Sequence, residues 1–185
     1  MNPILVGLYI LASLLRLGSL AVSIRNEKAL KAAGAIEYGE KHSRLVAIAF
    51  VLFYTLTLVE GFWRGTQLTI WTTVGIVLYL IAMGVLLLVW RELGRLWTVK
   101  LIIAPDHVLN RGTLYRWVRH PNYFLNVIPE LIGLTLMMGA WTVLTLGLPL
   151  FLIILGIRIG QEERIMKAHF PDGKTLSFPS RNTTL

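Results

Sequence analysis

The stretch LYRWVRHPNYFLNVIPE, residues 114–130, sets Arg116, Arg119, His120, Asn122, Asn126 and Glu130 into a chain that is 55% hydrophobic. Guanidinium, imidazole, carboxamide and carboxylate groups are the means of proton transfer and of electrostatic stabilisation. Their order also defines an element. Proline disfavours helical geometry in the residue before it and suits the first helical position, so His120-Pro121 predicts a helix starting at Pro121. On that helix Asn122, Asn126 and Glu130 are four apart and form one polar stripe about two turns deep. Such a stripe in an apolar helix faces the bundle interior or a wet cavity. A hydrogen-bonded packing seam accounts for the two asparagines equally well; a carboxylate is harder to dismiss as packing.

A second polar stripe lies in ILGIRIGQEERIMKAHF, residues 154–170. Arg158 and Glu162 are four apart on one face, and Glu163 and Lys167 form another pair at that spacing. The second pair reads as a solvated helical ion pair worth a few tenths of a kcal/mol. Arg158 directly follows an apolar run at a membrane edge, where its guanidinium is suited to grip a carboxylate or phosphate with two hydrogen bonds. Between the stripes lies LWTVKLIIAPDHVLNRGTLYRW, residues 96–117, a polar loop containing His107, Asn110, Arg111 and Tyr115 with a turn at Gly112. It carries no GxGxxG after a strand, and the chain has no GxxxxGK[ST], HExxH or GxSxG.

Long apolar elements must position these groups. Mean hydropathy is +0.65, and charged residues are 15% of the chain where a soluble domain has about a quarter. A bilayer core needs roughly 20 apolar residues per helical span. Spans are expected at about 3–24, 45–62, 70–90, 122–138 and 141–158, the last two joined as a tight hairpin through MGAW. The predicted fold class is all-α: a membrane bundle of about five helices, with a cytoplasmic loop before the fourth and an amphipathic helix after the fifth. Arg16 interrupts the first apolar run, which has no basic start, so that run reads as a retained span rather than a cleaved signal. Arg16 and Glu60 read as buried or interfacial structural groups, and Arg16 also as a candidate lining for a headgroup path.

The net charge of +8 comes from basic inter-span loops. Lys and Arg crowd residues 25–44, 91–121 and 158–181, while Arg64 stands alone on the other side. The positive-inside rule then places the N-terminus outside and the C-terminus in the cytoplasm. Loop charge of this kind argues against nucleic acid as partner. The absence of cysteine excludes disulfides, thiolate nucleophiles and Cys-ligated zinc. Four histidines without ligand-like spacing suggest no metal.

Taken together, HVLNRGTLYRWVRHPNYFLN (107–126) followed by Arg158 and Glu162 resembles the isoprenylcysteine carboxyl methyltransferase family, over residues 97–170. The resemblance implies an integral membrane enzyme, placed by its bacterial look in an inner membrane, that takes S-adenosylmethionine as cofactor and methylates a lipophilic acceptor. It implies cofactor contacts from Lys100 (often glutamine in the family), His107, Val108, Leu109, Asn110, Tyr115, His120, Pro121, Asn122, Tyr123 and Glu162. Arg158, Arg119 and Glu162 would be catalytic, and Arg158, Asn126 and Glu130 would face the substrate. The chain then reads as one membrane domain: spans one to three in 1–96, a catalytic half in 97–170 and a tail in 171–185. The acceptor oxygen would belong to a carboxylate, as in a prenylated cysteine, or to a hydroxyl. A phospholipid N-methyltransferase, a sterol-reductase-like enzyme and a small transporter are the competing readings, although no inverted repeat supports the last.

Overall fold

A computed structural model describes residues 1–103, 118 and 120–169. In chain order it has α1 (Pro3–Ala32), a short strand β1 (Ile36–Tyr38), α2 (Glu40–Trp63), α3 (Ile70–Leu93), a single 3₁₀ turn (Gly94–Leu96), β2 (Leu101–Ile103), α4 (Asn122–Met138) and α5 (Val143–His169). The all-α membrane bundle expected from composition is what forms. Four of the helices are long and apolar enough to cross a bilayer. α4 is shorter, and its apolar side chains are among the most enclosed: Leu131, Leu134, Met137 and Met138 are all buried. Each long helix buries only a minor share of its apolar window, and residues such as Leu17, Val51, Leu80 and Ile153 point outward to lipid.

Local chemistry sets the ends. Asn2 Oδ1 accepts from Ile4 N at 2.9 Å and Pro3 fills the first position of α1, where a missing N–H costs nothing. Thr69 and Thr72 form a reciprocal cap on α3. Glu60, near the end of α2, accepts from Thr142 N at 2.8 Å and Val143 N at 2.9 Å and is paired with Arg64 Nε at 2.7 Å. It thus satisfies the free amides at the start of α5 and complements that helix's positive end. This gives Glu60 the structural role read from sequence.

α4 and α5 both begin as π-helix, over Asn122–Val127 and Val143–Gly147. Each wide turn lies just before a proline, Pro129 or Pro149. A helical proline donates no hydrogen bond and its ring presses on the carbonyl four residues earlier; a wide turn relieves both faults. α3 crosses α4 at Gly75 and Gly133. A Cβ at Gly75 would lie 2.2 Å from Met137 N, and one at Gly133 would lie 2.7 Å from Tyr79 N. Only glycine permits backbones that close.

The bundle has two distinct ends. At one, Asn2 N donates to Thr66 O at 2.9 Å, Thr66 Oγ1 donates to Met138 O at 2.8 Å, and Trp71 packs edge-on against Trp141. At the other, β1 and β2 pair antiparallel, with Glu37 opposite Ile102. Here Ser23 Oγ accepts from Val99 N at 2.8 Å and Asn26 Nδ2 donates to Trp97 O at 2.9 Å, so α1 grips the segment after α3. The two-stranded ribbon is absent from the sequence-based expectation: three-residue strands carry too little periodicity to be read. α5 also runs unbroken through Arg158 and Glu162 to His169, so the expected amphipathic segment is its last turns.

Candidate functional site

The ribbon end of the bundle gathers the polar residues singled out above. His120 O accepts from Tyr123 N at 3.0 Å and Phe124 N at 3.1 Å, so α4 starts at the His-Pro pair as expected. That start fixes the His120 ring beside the last turns of α5. Its Nδ1 is 3.6 Å from Glu162 Oε1 and its Nε2 is 3.5 Å from Glu163 Oε1. Tyr123 stacks on His120 with ring centroids 5.8 Å apart and donates its hydroxyl to Glu162 Oε2 at 2.8 Å. The carboxylates of Glu162 and then Glu163 hold the His120 pKa above the ordinary histidine value, because they favour the imidazolium.

Arg158, one turn deeper on α5 than Glu162, is buried although charged. Its Nη2 reaches Val99 O at 3.5 Å, and its Nη1 has no hydrogen-bond partner among the described residues. Asn126 Nδ2 donates to Asn122 Oδ1 at 3.1 Å, which joins the first two members of the predicted stripe. The i, i+4 register survives the π turn. Glu130 is wholly buried further along the same helix. The structure therefore brings His120, Tyr123, Arg158 and Glu162 to one region, with Pro121 and Asn122 on the same turn of α4 as His120 and Asn126 one turn further along that helix.

Lys100 is engaged elsewhere. Its Nζ binds Glu27 at 2.7 Å and Glu37 at 3.2 Å, two carboxylates that hold its pKa up, Glu27 foremost. Together with Lys31, which also contacts both carboxylates, it ties the ribbon to α1. His107, Val108, Leu109, Asn110, Tyr115 and Arg119 lie outside the described residues.

Three contacts were not legible in the chain. Glu163, expected to pair with Lys167 in solvent, stands beside His120 instead. Tyr38 of the ribbon bonds His169 at 2.8 Å, closing β1 onto the end of α5. Arg16 and Tyr54 meet Glu130 across three helices. Arg16, as a lone charge in an apolar run, and Glu130, as a carboxylate on an apolar helix, each gave a signal, but their pairing did not. Among the described residues no three His, Asp or Glu side chains are grouped to hold a metal ion.

A buried arginine, a carboxylate-flanked histidine and a tyrosine at the edge of an apolar helical bundle define an integral membrane protein with a charged site at its boundary. The sequence profile of the isoprenylcysteine carboxyl methyltransferase family matches residues 73–168, and the chain belongs to that family. It is a membrane methyltransferase of the isoprenylcysteine type. An uncharacterised protein of Haemophilus influenzae is 46% identical over 157 residues, covering 85% of this chain and 91% of that one. The uncharacterised protein YpbQ of Bacillus subtilis is 28% identical over 156 residues, covering 83% of this chain and 91% of its own. No solved structure matches the chain significantly.

Proposed function

We propose that this protein transfers a methyl group from S-adenosylmethionine to an oxygen of a lipophilic acceptor, a carboxylate or a hydroxyl, at the ribbon end of the bundle. The observation that carries the reading is Arg158: a buried guanidinium with Nη1 unpartnered among the described residues, one turn from Glu162. Burying a cation without a full set of acceptors is costly, so its side of the site is suited to an anionic or strongly hydrogen-bonding guest.

The donor set fits the cofactor. Glu162 and Glu163 offer carboxylates to an ammonium or to ribose hydroxyls, the stacked rings of His120 and Tyr123 offer a flat face to a purine, and Pro121 and Asn122 carry the adjoining backbone. His107, Val108, Leu109, Asn110 and Tyr115 complete the set proposed by family resemblance. Lys100, whose ammonium already serves Glu27 and Glu37, acts in this proposal as a strut for the ribbon. The chemistry the cofactor supplies is an electrophilic methyl group. What the chain contributes is position and electrostatics: Arg158, with Arg119, holds and orients the acceptor oxygen, and Glu162 fixes His120 and Tyr123. Asn126 and Glu130 face the acceptor deeper in the bundle.

The site's place explains how reactants of opposite solubility meet. A water-soluble donor enters from the end where Lys and Arg crowd, which the positive-inside rule makes cytoplasmic. A lipophilic acceptor arrives through the bilayer. The two bacterial relatives support a bacterial inner membrane as the location.

Calorimetry on the detergent-solubilised protein tests the cofactor assignment. His120→Ala, Tyr123→Ala and Glu162→Ala should each weaken S-adenosylmethionine binding, the last by about 1.5–3 kcal/mol as a charged hydrogen-bond partner is lost. Wild-type affinity in all three would place the pocket elsewhere. Incubating membrane lipid extract with enzyme and methyl-labelled cofactor, followed by mass spectrometry, identifies the acceptor and separates O- from N-methylation.

A further inference from the structure

Two turns inward from Asn122 on α4, Glu130 is wholly enclosed. Its Oε1 accepts from the Tyr54 hydroxyl at 2.6 Å and lies 3.3 Å from Arg16 Nε, so α4 is bound to α2 and α1 by one carboxylate oxygen. The other oxygen, Oε2, has no hydrogen-bond partner among the described residues. Neither has Oδ1 of Asn126, one turn back on the same face and equally buried. Arg16 lies over the Phe50 ring at 4.5 Å and keeps about 20% of its side-chain surface open, so of this cluster it is the guanidinium side chain that meets the surface of the bundle, while Glu130 and Asn126 are enclosed.

Unpaired oxygens in an apolar interior are expensive and in native proteins usually have a purpose. Both orphan atoms here are acceptors. The group that satisfies them must bring a hydrogen-bond donor. Arg16 already balances the charge of Glu130, so an ammonium would leave net positive charge inside the bundle and a carboxylate would confront Glu130 itself. A neutral hydroxyl adds no charge.

Resting on the methyl-acceptor reading above, we infer that Arg16, Glu130 and Asn126 form a recognition subsite for a hydroxyl carried by the acceptor, inward of the atom that is methylated. α1 lies wholly before residue 73, where the family profile begins. It would thus set acceptor choice in this chain. Sites built to bond a hydroxyl reject analogues that lack it far more strongly than apolar pockets reject shape changes.

Matched lipophilic probes test this with the full-length protein in detergent, using tryptophan fluorescence to follow binding: dodecylphenol against dodecylcatechol, dodecanoic acid against β-hydroxydodecanoic acid, and dodecylamine. Wild type should bind the member with the extra hydroxyl at least about tenfold more tightly in one pair or both, a difference of about 1.4 kcal/mol. Glu130→Gln should shrink that ratio. The double variant Arg16→Met/Glu130→Leu removes both charges together and is expected to stay folded; it should bring the ratio to about one. A wild-type ratio near one, a ratio that persists in the double variant, or tightest binding by dodecylamine overturns the subsite. Binding of labelled S-adenosylmethionine, measured on the same samples, stands apart: its absence in wild type would sink the cofactor assignment, while the probe ratios report on the subsite without it.

Discussion

At the scale of residues, the arrangement separates two jobs. Arg158 is buried with Nη1 unpartnered among the described residues, which suits an acceptor oxygen, while His120 lies between two carboxylates and stays charged to higher pH than a free imidazole. A lysine at 158 carries the charge but cannot make two parallel hydrogen bonds from one planar group. Arg158→Lys should therefore lower kcat by about 100-fold with cofactor affinity nearly unchanged, as measured by single-turnover methyl transfer and calorimetry. A mild defect together with a rate limited by an ionising base would favour a hydroxyl acceptor over a carboxylate one, because a carboxylate is already ionised at neutral pH. The raised His120 pKa has its own consequence. Its ion pairs stabilise the folded chain fully below the ordinary histidine pKa of about 6.5, and this contribution is lost as pH rises through the raised value. Thermal unfolding of wild type and His120→Gln should differ most below the ordinary histidine pKa of about 6.5 and converge as pH rises beyond the raised value. A gap that grows with pH would contradict the assignment.

Elements place these side chains through two devices, glycine crossings and π turns. Because a Cβ at Gly75 would meet Met137 N at 2.2 Å, Gly75→Ala must push α3 from α4, and overpacking of this kind costs about 1–3 kcal/mol. Gly84, on the same helix, is exposed, and a Cβ there would meet nothing within 4 Å, so Gly84→Ala is the matched control and should be nearly neutral. Unfolding in detergent compares the two; equal effects would mean the crossing is looser than drawn. The π turns before Pro129 and Pro149 matter because they set the rotation of all that follows in α4 and α5. Glu130 and Arg158 both lie beyond such a turn.

For the whole molecule, the decisive property is that its two ends differ. One end is closed by Thr66, the Trp71–Trp141 pair and the Glu60 cap; the other carries the ribbon, the Lys100 network and the candidate site. The positive-inside rule predicts that the site end is cytoplasmic. The chain has no cysteine, so single substitutions report cleanly. Ala33→Cys should be protected from an impermeant thiol reagent in intact cells and Gln67→Cys labelled. The reverse pattern would invert the orientation and, with it, the route proposed for the cofactor.

Much of this was written in the chain itself. Hydrophobic run lengths determine the number and rough extent of the helices, since the bilayer admits few alternatives. The His120-Pro121 boundary and the four-residue spacing of Asn122, Asn126 and Glu130 are local properties, legible without a partner. What lay beyond reach depends on which faces of distant helices meet. Glu163 serves His120 rather than Lys167, Lys100 is held by Glu27 and Glu37, and Arg16 reaches across to Glu130, all pairings between residues far apart in the chain. Spacing along one helix says nothing about them. They follow from how the helices and the ribbon approach one another, so tertiary packing alone decided which charges became partners and which oxygens stand unpaired among the described residues.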